Sequence, residues 1–163
     1  MSMIKEIKAL RWFEQYRCAH TPHLLACMSR SLPATTDPNA MTGGFTIAIL
    51  MTKLSGERLD LDVWTFLPDT DRDQIRQGFK TALMNLLKLR VFPRDRGLHK
   101  QLWDKAENKC YIVDFESYGV ADVQEPDSIC MNKQYHYWNL CDFSTGYTHD
   151  EVDDWITHEE EDD

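Results

Sequence analysis

The apolar residues fall into segments with distinct periods, and those periods lay out the chain. Ile4, Ile7, Leu10 and Phe13 recur at helical spacing with Lys5, Glu6, Lys8 and Glu14 between them, which predicts an amphipathic helix over about the first sixteen residues. Thr21-Pro22 breaks it, because proline disfavours helical geometry in the residue before it, and residues 23–28 read as a short strand. Residues 29–44 carry two prolines, Asn39 and the Gly43-Gly44 pair, which is loop chemistry. Residues 45–54, rich in β-branched and aromatic side chains and ended by Ser55-Gly56, are the clearest strand and can pair antiparallel with the first. Asp69 to Asp73 can cap a second helix with Ile75, Phe79, Leu83, Leu86 and Leu87 on its apolar face; reaching about Leu89, it is the dominant helix. The short runs 101–103 and 110–115, separated by the turn-like residues 105–109, have the signature of a β-hairpin.

Composition adds that the chain should fold as one domain. Of its 163 residues 42% are hydrophobic and 11% aromatic, which excludes global disorder. The net charge of -9 is unevenly placed: the last fourteen residues, 150–163, hold nine acids and no Lys or Arg, and the rest balances 18 acids with 18 bases. A neutral body with no basic stripe argues against nucleic acid as a partner. The tail, with Trp155 and Ile156 among its acids, reads as a solvated end or as a short helix that contacts a basic protein partner. The longest apolar run, residues 45–51, falls short of the roughly 20 residues that span a bilayer, so no membrane association is expected. The start alternates apolar and charged residues, unlike a signal peptide, which makes a cytoplasmic or nuclear location the expectation. The five cysteines, never closer than nine positions, form neither a metal knuckle nor a disulfide framework and read as reduced structural thiols.

The chemistry concentrates in residues 91–118. Asp95 lies in a polar loop after the long helix, and Asp114 ends the second strand of the hairpin. Two acids so placed can converge, one beside a nucleophile and one on a metal, as phosphoryl transfer needs. This stretch resembles the protein kinase-like superfamily, and more closely its short fungal kinase-like members and the aminoglycoside and choline phosphotransferase relatives. Pro93-Arg94-Asp95 stands where those proteins carry the catalytic loop, Gln101-Leu102-Trp103-Asp104 matches the strand that follows, and Asp114-Phe115-Glu116 matches the metal-binding Asp-Phe-Gly or Asp-Phe-Glu, nineteen residues beyond Asp95. Upstream, residues 21–25 resemble the entry to the family's fourth strand, residues 49–56 its fifth strand and hinge, and the first helix its C helix.

The resemblance implies an α+β, truncated kinase-like fold. Residues 1–54 are its N-lobe remnant, with one helix and a two-stranded sheet; 55–149 are a reduced helical C-lobe with the hinge near residues 54–59; and 150–163 are an acidic tail. It implies Asp95 as catalytic base, Asp114 as metal ligand, and Met51 and Lys53 beside a nucleotide. The departures matter more. The Gly-rich loop and the strand lysine that would pair with Glu6 are missing, and Lys100 stands five residues after Asp95, at the family's metal-binding Asn. A protonated lysine cannot ligate magnesium, and between Asp95 and Asp114 its ammonium competes with the metal. The leading expectation is therefore a degenerate, pseudokinase-like binding or regulatory protein with no cofactor. One alternative is a residual phosphotransferase for a small molecule or a protein, using ATP and Mg. The other is an acid–base enzyme that acts on a metabolite through Asp95, His99 and Lys100. For Asp95 an ordinary ion pair with Arg94, Arg96 or Lys100 competes with these roles. His99 and Glu116 are expected at the surface. Tyr135, His136, Tyr137 and Trp138 are expected to line a small-molecule pocket or to pack, strand-like, on the core.

Overall fold

The computed structural model describes residues 2–31, 45–121 and 129–141, together with the backbone of Ile156 and Thr157. The described residues form a mixed α/β arrangement of four α-helices and small antiparallel sheets. The loop expected at 29–44 lies mostly outside the described residues, as does most of the tail.

The first helix, α1 (Ser2–Gln15), buries Glu6, Ala9, Leu10 and Phe13. Of the predicted stripe, Leu10 and Phe13 are fully buried and Ile7 packs against the core, while Ile4 is 40% exposed. Glu6 is buried as well, its carboxylate accepting the Phe115 N–H inside the fold. The helix ends before Thr21-Pro22: Cys18 N–H bonds to Phe13 O at 2.9 Å and Arg17 N–H to Glu14 O at 3.1 Å, with Arg17 at φ 50°. That is a left-handed cap that satisfies the last carbonyls.

Strands β1 (Leu24–Ser31) and β2 (Phe45–Met51) pair antiparallel from Leu24↔Met51 to Ser31↔Phe45. This is the predicted pairing, with β1 running three residues further than expected. Next come two elements the sequence reading lacked. Strand β3 (Glu57–Arg58) falls within the expected hinge and pairs antiparallel with Leu102 and Trp103. The short helix α2 (Leu61–Phe66) starts at Asp60, whose Oδ1 accepts from Val63 N–H at 2.7 Å, and buries Trp64.

Helix α3 (Asp69–Lys88) buries Ile75, Phe79, Leu83, Leu86 and Leu87 as predicted, together with Ala82 and Met84. Its N-cap is Pro68, so Asp69 and Asp71 sit in the first turn and offset the helix dipole without capping by side chain. The chain continues through β4 (Val91–Pro93), a 3-10 turn (Leu98–Lys100), β5 (Gln101–Asp104), β6 (Lys109–Ile112) and β7 (Tyr118–Ala121). Strands β5 and β6 form the predicted hairpin, Gln101↔Ile112 to Asp104↔Lys109. Its turn is closed by Asp104 Oδ1, which accepts from Ala106 N–H at 3.0 Å and Glu107 N–H at 3.1 Å. Helix α4 (Met131–Tyr137) replaces the strand-like packing expected of Tyr135 and Tyr137. It still packs on the core: the Phe79 ring lies 5.1 Å from Trp138 and 6.1 Å from Tyr135.

In the tail, the backbone of Ile156 and Thr157 forms β8, which pairs with β7; the rest of that segment lies outside the described residues. The five cysteines are free, and burial pushes the Cys110 thiol up to about 12, consistent with an inert structural role. Among the described residues no helix is long and apolar enough to cross a membrane.

Gly78 marks a tight contact between α3 and the β5–β6 hairpin. A Cβ there would lie 2.7 Å from Trp103 Cζ3 and 3.3 Å from Cys110 Cβ. Gly78→Ala gains about 1 kcal/mol of helix propensity, yet overpacking against an immobile ring costs about 1–3 kcal/mol. Urea unfolding should therefore give a lower midpoint for the variant; an unchanged or higher one contradicts this packing.

Candidate functional site

Two antiparallel pairings build the site. Strand β4 pairs with β7 (Val91↔Val120, Phe92↔Gly119, Pro93↔Tyr118), and Arg94 N–H continues the ladder to Ser117 O at 3.0 Å. Ala121 N–H bonds to Arg90 O at 2.9 Å, so the bonded positions alternate and Pro93 occupies one where no N–H is required. Asp95 is thereby delivered beside the segment that follows β6. The β5–β6 hairpin supplies the second constraint: at its open end Val113 N–H bonds to Lys100 O at 2.9 Å, which sets Lys100 beside Asp114. Within the loop, buried Gln101 donates through Nε2 to Gly97 O at 3.3 Å and Trp138 O at 3.4 Å, tying it to the end of α4.

The three predicted residues Asp95, Lys100 and Asp114 therefore meet. Lys100 Nζ donates to Asp95 Oδ2 at 2.7 Å and, at closer range, to Asp114 Oδ2. The lysine side chain is only 10% exposed, whereas Asp95 and Asp114 are 55% and 41% exposed. Burial lowers the lysine pKa, but the hydrogen bonds and charges of Asp114 and Asp95 outweigh it and the net direction is upward. The ammonium thus stays charged at neutral pH. Its stabilising contribution is present below the ordinary lysine value and is lost as pH rises through the raised one.

Glu6 forms the next layer. Its carboxylate accepts the Phe115 N–H, and the Phe13 and Phe115 rings meet edge to face at 4.5 Å. Asp114 adopts φ 67°, a left-handed conformation unfavourable for a residue with a Cβ, and α1 holds the chain just beyond that bend. Burial raises the Glu6 pKa from 4.5 to about 7; the Phe115 hydrogen bond opposes this, and the Asp114 charge adds to it. The sequence singled out Glu6 only as a partner for a strand lysine; its bond to the Phe115 backbone depends on tertiary packing and left no sequence signal.

Beside Asp95 opens a polar cleft of about 370 Å³ lined by Arg94, Arg96, His136, Tyr137 and Asn139. The Arg96 guanidinium lies over the Tyr137 ring at 4.2 Å. Of the aromatic cluster, Trp138 is buried in the core, and Tyr137 lines this cleft together with His136. His99 is exposed, with its ring against Gly97, where a Cβ would lie 2.9 Å from it. Glu116 is also exposed. Met51 ends β2 opposite Leu24, and Lys53 follows it; both are exposed, and among the described residues no hydrogen bond or ion pair joins them to Asp95, Lys100 or Asp114.

Magnesium does not fit this donor set as it stands, because the ammonium already bonds both carboxylates. Among the described residues no group of three His, Cys, Asp or Glu side chains gathers as metal ligands.

No protein-family model matches the sequence, and no curated protein matches it. Among solved structures the chain is similar to the kinase PK-1 of Cydia pomonella granulovirus, with 17% identity and a TM-score of 0.49 over 72% of this chain. The chain spans 39% of that kinase's length. A likeness at this level assigns no residue a role.

The raised Glu6 pKa fixes a pH dependence. Between 4.5 and about 7 the folded chain keeps a proton that the unfolded chain has released, so stability falls as pH rises through this window. Glu6→Gln should flatten the slope and raise Tm at pH 8 by roughly 3 °C or more. A melting series from pH 4 to 8 checks this; an identical slope in the variant contradicts the assignment.

Proposed function

We propose that the chain is a degenerate kinase-like protein that acts by binding, as a regulatory module, and not by efficient phosphoryl transfer. The observation that carries this reading is the Lys100 ammonium bonded to both Asp95 and Asp114. In kinase-like sites two such acids serve a hydroxyl and a metal. Here a cation fixed to the chain neutralises one of their two charges and occupies their shared space. Removing it would leave two carboxylates facing each other, so the lysine is itself a structural part of the site. The cleft beside Asp95 supports a small polar ligand, and the kinase-like motifs support a protein partner as the regulated object. Neither nucleic acid nor a membrane enters this reading.

A second reading draws on the exposure of the two carboxylates. Asp95 as base and Asp114 as magnesium ligand, with ATP near Met51 and Lys53, would make the chain a phosphotransferase for a small molecule or a protein. It requires Lys100 to release at least one acid. Acid–base chemistry by Asp95, His99 and Lys100 on a metabolite has less support, since His99 lies against Gly97 at the surface.

Thermal unfolding with and without Mg and ATP separates the readings. A ligand at a hundred times its Kd stabilises by about 2.7 kcal/mol, several degrees for a domain of this size. The binding-module reading predicts a shift below about 1 °C for the unaltered chain at millimolar Mg and ATP. A shift of several degrees that disappears in Asp114→Ala, with nucleotide turnover lost in Asp95→Asn, would establish the phosphotransferase instead.

A further inference from the structure

A groove of about 510 Å³ lies between α1, the end of α3 and strand β7. Lys8, Arg11 and Arg90 rim it, Trp12, Tyr118 and Val120 supply its apolar surface, and no acid lines it among the described residues. Lys8, Arg11 and Arg90 are exposed, Trp12 is 42% exposed and Val120 38%. The groove is basic on a body whose charges balance as a whole, and the acids in excess belong to the tail.

That tail already reaches the groove's edge. Strand β8 pairs antiparallel with β7, Val120↔Thr157 and Ala121↔Ile156, so Val120 belongs both to the groove and to the strand pair. Beyond Thr157 the sequence brings five consecutive acids, Glu159 to Asp163, and before Ile156 it has Trp155, Asp154 and Asp153. At about 3.3 Å per extended residue, Glu159 is roughly 7 Å of chain from Thr157. Tyr118, two residues before Val120 on β7, also lines the groove.

We propose that the acidic C-terminal segment is an intramolecular latch, with β8 as the third strand on β7 and its flanking acids seated against the Lys8, Arg11 and Arg90 rim. The occupant follows from charge complementarity and from continuity with a strand already in place. The latch bears on the site, because the sheet it completes is the one that leads into Asp95 through β4 and out of Glu116 through β7. The tail's basic partner is then the chain's own body.

Amide exchange in the intact chain tests this. Ala121 N–H bonds to Arg90 O on the β4 side, so the next N–H back, that of Val120, points to the β8 edge. The expected result is a protected Val120 amide whose exchange rises about threefold to tenfold between low salt and about 1 M salt, where the screening length falls to about 3 Å. The same rise is expected in a Lys8→Glu, Arg11→Glu chain, while the Ala121 amide is unchanged. Should the double variant fail to fold, the salt series on the unaltered chain decides alone. An unprotected Val120 amide overturns the proposal, as does protection indifferent to salt. Protection that grows with protein concentration also overturns it, since the tail would then come from a second copy.

Discussion

The Lys100 ammonium is the constraint on which the site depends. A cation this buried needs charged partners, and its two partners come from segments that only the tertiary fold brings together. Asp95 arrives because β4 pairs with β7, and Asp114 because the β5–β6 hairpin closes on Lys100. The two pairings are independent, and both must hold their register for one nitrogen to reach both carboxylates. A site that appears as two acids in the sequence is, in the fold, an ion triad of net charge about −1, with its cation inside and its anions facing solvent.

Helix α1 ties this triad to the rest of the molecule. Through Glu6 and Phe13 it grips Phe115, the residue after the left-handed bend at Asp114. Holding an unfavourable backbone conformation requires surrounding contacts that over-determine it, and these two provide them. Because Glu6 takes up its proton near pH 7, the grip on the site is pH-sensitive in the neutral range. The polar cleft on the other side of Asp95, with Arg96 laid over Tyr137, then gives the triad an outward face on which recognition can act.

Much of this was legible from spacing. The hairpin let Asp95 and Asp114 converge, the resemblance put Lys100 between them, and the 3.6-residue period of Ile75, Phe79, Leu83 and Leu86 gave α3. What escaped has physical reasons. Helix α2 spans under two turns, too short for a period to show, and only the Asp60 cap marks it. Strand β3 is two residues whose pairing with β5 is wholly non-local. The inward face of α1 follows the apolar stripe at Ile7, Leu10 and Phe13; Ile4 falls outside it, and Glu6 is buried beside it through a hydrogen bond that no spacing could show. Tyr135 and Tyr137 alternate like a strand, yet the packing of Trp138 on Phe79 is made from a helix end, where Asn139 at φ 57° turns the chain.

The central claim is that Lys100 holds the space between Asp95 and Asp114 against a metal. A crystal structure of the unaltered chain grown with millimolar Mn and ATP tests it most directly, manganese being visible by its anomalous signal. The account predicts the Lys100 nitrogen within about 3 Å of both carboxylates and no metal between them. Manganese bound to Asp114, with the lysine swung away, would contradict it.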